Sequence, residues 1–237
     1  MIYKKDNETS FALGAFAVRE LLHYRKSAVR KIYTSRNLVI SPDIQKILDF
    51  ATQNNIRVED GTKFIERIGG KENIYIMAEF FKYSDTLQPG DQIVLFNPSD
   101  MGNVGTILRT ALGFGYKNVV FIEPCVDVFN PKVVRASQGA IFGLNIVRYQ
   151  SWEEYNNKNL DIKKYLFMLD GEQILQNTPN TDTSTSKALV FGNEASGLPA
   201  SIKPCGTPVF IRHSNEIDSL NLSISIGIAL YHFTQKK

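Results

Sequence analysis

The sequence predicts an α/β protein with a parallel sheet, in which a small α/β domain precedes a larger one. Three observations carry this reading. Short apolar runs that suit buried strands alternate with amphipathic or capped helical stretches. The segment "IVLFNPSDMGNVGTILRTALGFGYKNVVFI", residues 93 to 122, reads as a complete strand, loop, helix and strand. The segment "YSDTLQPGD", residues 83 to 91, interrupts the pattern with Pro and Gly. At 237 residues and 43% hydrophobic, the chain can bury a proper core, as one large domain or two small ones.

Taken in order, a helix is expected near residues 13 to 24, followed by the strand-like "KIYTS". Ser41 and Pro42 supply N-cap and N1 for a helix to about Asn54. "IRV" and "NIYIMAEF" add strands. Beyond the break, Val104, Ile107, Leu108, Ala111 and Leu112 form the apolar stripe of a helix that Gly113 and Gly115 end. Then come helical "PKVVRAS", strand "LNIVRY", helical "SWEEYNNK", strands "YLFML" and "ALVF", and a long helix to about Phe233. The polar "NTPNTDTSTSK", residues 177 to 187, reads as a mobile surface loop.

Composition excludes several classes. No apolar run approaches the roughly 20 residues of a membrane-spanning helix, and "FALGAFAV" is too short for a secretory signal. Cys125 and Cys205 lack metal or redox spacing and are expected as free thiols of a cytoplasmic protein. "GNVGTI" lacks a dinucleotide fingerprint, and "IGGKEN" lacks the first glycine and the Ser or Thr of a phosphate loop. "GNEASG" puts Glu194 where a nucleophile elbow needs glycine. His23, His213 and His232 have no paired acidic spacing, so no metal site is expected.

Charge is uneven. Residues 1 to 85 hold fourteen Lys and Arg against eleven Asp and Glu, while the remainder holds thirteen of each. Arg19, Arg25, Lys26, Arg30, Lys31 and Arg36, with Tyr24 and Tyr33 interleaved, form either a modest footprint for a polyanion or an ordinary solvated face.

Three segments have compositions odd for structure alone. In "NVGTILR", Arg109 lies roughly 140° around the helix from Val104, off the apolar stripe. "ALVFGNEASGLP" runs a buried strand straight into a loop bearing Gly192, Glu194 and Gly197, which suits close backbone approach to a ligand. "DSLNLSISIGIALYHF" studs an apolar helix with Ser219, Asn221, Ser223 and Ser225, polar groups that need partners.

Together and in this order, the three segments resemble the signature motifs of the SpoU/TrmH family of RNA ribose methyltransferases, of the SPOUT class, over residues 90 to 235. The intervening "NPKVVRASQGAIFGLNI" is similar to the family's connecting segment. "ALGAFAVRELL" followed by "KIYTS" resembles the L30e-like substrate-binding domain of rRNA-directed members. The departure is Arg212 and His213, where the family has proline or small apolar residues. The resemblance implies an L30e-like RNA-binding domain over 1–85 and a methyltransferase domain over 90–237, with a deep trefoil knot. It implies S-adenosylmethionine held by Gly192, Ile211 and Leu220, and a homodimer. The activity implied is methylation of a ribose 2′-hydroxyl, in rRNA first and tRNA second. Arg109 would act on the hydroxyl, with Asn103, Glu194, Ser219 and Asn221 orienting it. Arg25, Lys26, Arg30 and Lys31 would touch RNA. The competing readings are a non-catalytic RNA-binding protein on the same fold and, more remotely, an α/β dehydrogenase.

Overall fold

The structure is a computed structural model that describes residues 3–69, 73–179 and 186–235. Most of the polar stretch at 177 to 187, and the centre of "IGGKEN", lie outside the described residues. The chain packs as two compact units: residues 1–83 with 127–143, and residues 84–126 with 144–237.

The first unit contains β1 (Thr9–Leu13), α1 (Ala15–Tyr24), β2 (Val29–Thr34), α2 (Pro42–Gln53), β3 (Val58–Asp60), α3 (Thr62–Gly69) and β4 (Ile76–Phe81). Its sheet runs β1-β4-β2-β3, antiparallel except for β2 against β3. Ser41 caps α2 as expected, its hydroxyl accepting from the Ile44 N–H at 3.3 Å with Pro42 in the first turn. β1 and α3 are additions to the sequence reading. α3 helps to cover one sheet face, where Ile65, Phe11, Leu13 and Met77 form a buried cluster.

The later segment 127–143 completes this unit. It carries α5 (Pro131–Ala136), which packs against β1. The Ser10 hydroxyl, fully buried, donates to the Phe129 carbonyl. Phe80 meets Phe142 edge to face at 5.1 Å between ring centroids, and the Tyr83 hydroxyl donates to the Ile141 carbonyl at 3.4 Å.

The second unit holds β5 (Gln92–Phe96), α4 (Met101–Gly113), β6 (Asn118–Ile122), β7 (Asn145–Tyr149), α6 (Trp152–Lys158), β8 (Lys163–Phe167), β9 (Gln173–Ile174), β10 (Lys187–Phe191), β11 (Thr207–Phe210) and α7 (Leu222–Thr234). The seven strands run β7-β6-β5-β10-β8-β11-β9, with every neighbour parallel. The central strands are continuous apolar runs because the sheet is covered on both faces: Ile93, Val94, Leu95, Val119, Val120, Leu189 and Val190 are fully buried. Trp152 and Tyr155 of α6 join the buried cluster around Val94, Val120 and Val190, while α4 and α7 pack against each other. β9 and β11 are further additions to the sequence reading.

α7 buries Leu222, Ile226, Ala229, Leu230 and Phe233, yet leaves Ile224, Ile228 and Tyr231 exposed. At about 100° per residue these three share one stripe. Among the described residues, no helix is long and apolar enough to cross a membrane.

Candidate active site

All three odd segments converge at the carboxyl ends of the second unit's strands, where ligands of open parallel sheets bind. The loop after β5 reaches α4 through Asp100, whose carboxylate accepts from the Asn103 N–H at 2.7 Å and caps the helix. Asn103 therefore sits in the first turn. Asn221 caps α7 in the same manner, accepting from the Ser223 N–H at 2.9 Å and from the Ser223 hydroxyl at 2.7 Å. Its amide then donates to the Asn103 side-chain oxygen at 3.0 Å, and the Asn103 amide donates to Glu194 at 3.4 Å. One polar chain thus ties the first segment to the other two.

Glu194 is the hub of this chain. Its carboxylate accepts from the Ser99 N–H at 3.2 Å, the Ser99 hydroxyl at 3.0 Å and the Asp100 N–H at 3.2 Å, all at the mouth of α4. Burial works to raise its pKa, but hydrogen bonds from its own backbone N–H, Ser99 and Asp100 outweigh this and hold it below the usual carboxylate range. Asn193, a residue the sequence reading passed over, shapes the loop. Its amide donates to the Asn97 carbonyl at 2.7 Å, and its oxygen accepts from the Ala195 and Ser196 N–H groups at 2.9 and 3.3 Å. An Asn opening a glycine-flanked loop is a turn signal that could have been read.

These groups border a cavity of about 600 Å³, within the range of small-molecule sites. Gly192, Ile211 and Leu220 line it together with Asn103, Glu194, Ser219 and Asn221. Phe167, Phe191, Leu198 and Val209 give it an apolar wall, Asp170 and His213 stand in its lining, and Lys and Arg are absent from the lining among the described residues. The His213 Nδ1 lies 2.8 Å from the Ile211 carbonyl, which can only accept. The structure adds a reason for Gly192 from within the chain. A Cβ there would run into the Gly197 carbonyl carbon and the Leu198 nitrogen, so the chain's own turn excludes a side chain before any ligand does. Among the described residues no cluster of His, Cys, Asp and Glu could hold a metal.

Arg109 stands apart. It is exposed on α4 and does not line the cavity of the single chain. It lies six positions beyond Asn103, which turns it about 120° around the helix.

The four basic residues expected to touch RNA are engaged within the first unit. Arg25 Nε donates to the Phe142 carbonyl at 3.0 Å, with its guanidinium 4.4 Å from the Tyr83 ring centroid. The Lys26 amine donates to Asn54 at 3.1 Å. Arg30 pairs with the buried Glu79 at 2.8 Å, and Lys31 with Glu59 at 3.3 Å. Burial first, then the hydrogen bond to Glu79, pushes the Tyr33 phenol up to about 12.

Known proteins share this architecture. The structure of the SpoU methyltransferase AviRb from Streptomyces viridochromogenes, in complex with the cofactor AdoMet, superposes with a TM-score of 0.82 at 20% identity, covering 96% of this chain and 90% of that one. An uncharacterized tRNA/rRNA methyltransferase of Synechocystis is 32% identical over 147 residues, 59% of this chain and 51% of that protein. The 23S rRNA (guanosine(2553)-2′-O)-methyltransferase RlmP of Bacillus subtilis is 31% identical over 136 residues, 56% of this chain and 53% of that protein. The chain thus spans about half the length of these two curated relatives. The model of the SpoU rRNA Methylase family matches residues 92–231, which takes in the first two converging segments, all but the last two residues of the third, and more than half of the chain, and the chain belongs to that family.

Proposed function

We propose that the chain is an S-adenosylmethionine-dependent RNA methyltransferase that methylates a ribose 2′-hydroxyl of ribosomal RNA in the cytoplasm. The observation that carries this reading is the Asn221–Asn103–Glu194 chain, which gathers the three family motifs at one cavity. The cavity suits the cofactor: its size accommodates a nucleoside with an amino-acid arm, its wall is apolar, and its charged side chains are the carboxylates of Asp170 and Glu194, with no Lys or Arg opposing a sulfonium among the described residues. When bound, the cofactor would supply an activated methyl group. Gly192, Ile211 and Leu220 would hold it, chiefly through backbone.

As the methyl moves and the cofactor departs as its thioether, the hydroxyl must lose its proton, which in this reading passes to an RNA phosphate oxygen and on to water. A guanidinium offers N–H donors and no acceptor, so the role of Arg109 is to bind a phosphate and stabilise the developing alkoxide. Its position off the cavity fits action across a homodimer, with the exposed stripe of Ile224, Ile228 and Tyr231 forming part of the contact. Residues 1–85, completed by 127–143, are the L30e-like RNA-binding domain in this reading, the rest of 90–237 is the catalytic domain, and the C-terminal segment is threaded as a trefoil knot. The choice of rRNA follows the B. subtilis relative, whose name states a 2′-O activity on 23S rRNA. Mass-spectrometric mapping of 2′-O-methylation in total RNA, with and without the gene, tests it. One rRNA ribose should lose its methyl group; an unchanged rRNA map would refute the reading.

A further inference from the structure

The cavity carries two carboxylates with different commitments. Glu194 is turned toward donors of the protein itself, at Ser99, Asp100 and Asn103. Asp170 also lines the cavity but meets the Lys203 ammonium and its own backbone N–H. A carboxylate offers about four lone-pair positions. Asp170, with its side chain 66% exposed, therefore keeps accepting capacity for a ligand. Lys203 holds its carboxyl below the usual range, so it is charged at neutral pH.

The turn that presents Asp170 is fixed. It follows β8, where the Met168 N–H donates to the Val209 carbonyl at 3.0 Å and the Gly171 N–H donates back to the Met168 carbonyl at 3.2 Å. A Cβ on Gly171 would lie 2.6 Å from the Val209 carbonyl carbon and 2.8 Å from the Phe210 nitrogen. Only glycine lets the turn press this closely on β11. Leu169, beside Asp170, lines the cavity with 63% of its surface exposed, and Phe167 and Phe191, whose rings stack at 4.3 Å, line it too.

An apolar side chain and an aromatic wall suit the flat face of a base, and a charged acceptor beside them suits the hydroxyls of its sugar. Carboxylates recognise the ribose of dinucleotides in parallel α/β folds by the same chemistry. Resting on the reading of this cavity as the cofactor pocket, we infer that Asp170 accepts hydrogen bonds from the ribose hydroxyls of the cofactor, with Lys203 as the positioning residue that holds the carboxylate in place.

The test is calorimetric, on the full chain, with three probes: S-adenosylhomocysteine, 5′-deoxy-5′-methylthioadenosine, which lacks the amino-acid arm, and the 2′-deoxy form of the latter. Asp170→Ala should weaken the first two by the same factor, roughly ten- to a hundredfold for a hydrogen bond to a charged group. Wild type should prefer methylthioadenosine to its 2′-deoxy form by a similar factor, and Asp170→Ala should lose that preference. Lys203→Met should weaken both adenosine ligands to a smaller degree. Circular dichroism checks folding, and Asp170→Asn replaces the alanine variant if the latter is unfolded. Unchanged affinity for methylthioadenosine in the variant, or no wild-type preference for the 2′-hydroxyl, overturns the assignment while leaving the cofactor pocket intact. A loss confined to S-adenosylhomocysteine overturns it too, by moving Asp170 to the α-ammonium group. A wild type that binds none of the three refutes the cofactor pocket itself.

Discussion

Replacing Glu194 with alanine removes the acceptor shared by four donors at the mouth of α4: the N–H groups of Ser99 and Asp100, the Ser99 hydroxyl and the Asn103 amide. Hydrogen bonds to a charged group contribute about 1.5–3 kcal/mol each. The site is partly open and water can take over some of the donors, so the expected total is about 2–3 kcal/mol. For a chain of this size, that corresponds to a drop in melting temperature of about 4–12 °C. The change should be local, with exchange accelerated at the Ser99 and Asp100 amides and not at the buried Ile93, Val94 and Leu95 of β5. The pH dependence has a definite sign. Because the folded-state pKa is depressed, the stabilisation is present above the ordinary carboxylate value and is lost as pH falls through the lower folded value. Wild type and Glu194→Ala should therefore converge in strong acid. Unchanged exchange at Ser99 and Asp100 in the variant would refute the account of Glu194 as the tie between the first two motifs.

Gly192→Ala should destabilise the protein by about 1–3 kcal/mol, because the added methyl meets the backbone at Gly197 and Leu198; an unshifted thermal midpoint would show that the turn relaxes freely. Arg109→Ala should slow methyl transfer by about a hundred- to a thousandfold while sparing cofactor affinity, and Arg109→Lys should reveal whether charge alone suffices. Single-turnover rates with saturating RNA check this, and a normal rate in Arg109→Ala would remove Arg109 from the mechanism. In the first unit, Arg30→Ala should cost about 1–3 kcal/mol of stability in urea unfolding, since it strips a partner from the buried Glu79. Lys26→Ala is the cleaner test of RNA contact: loss of one phosphate contact lowers the log–log salt slope by about 0.7–0.9, and an unchanged slope assigns Lys26 to the solvated surface. Wild type should sediment as the proposed dimer and Tyr231→Glu as a monomer; a monomeric wild type would refute the dimer, and a variant that stays dimeric would place the interface away from the α7 stripe.

The elements read correctly from sequence are those whose signal is local. β5, α4 and β6 announce themselves by an apolar run, a helical stripe and a second run, and α2 by Ser41 and Pro42 at its start. β11 hides because Pro208 argues against a strand inside a sheet, yet the strand pairs with β8 on one side and β9 on the other. β1 hides because "FALGAFAV" merges the end of a strand and the start of a helix into one apolar word. The polar residues of the three motifs were legible as misfits, but their pairing was not, because Asn221 finds Asn103 across 118 positions. The same distance effect governs Arg25 and Arg30. Their partners Phe142 and Glu79 lie 117 and 49 positions away, and a cluster that reads as a basic surface is partly spent inside the fold.

The return of residues 127–143 to the first unit has a consequence for how the chain is made and how it can be cut. A ribosome that has released residue 83 has not yet delivered the cover for Ser10 and Phe80, which is complete only with Phe142, about 60 residues later. At roughly 5–20 residues per second, the amino-terminal sheet would wait about 3–12 s with that face open. During that interval β5, α4 and β6, which belong to the other unit, emerge first. A gene fragment ending near residue 85 would therefore encode an unfinished body with a bare aromatic face, and a transplantable version of this module would have to carry residues 127–143 with it.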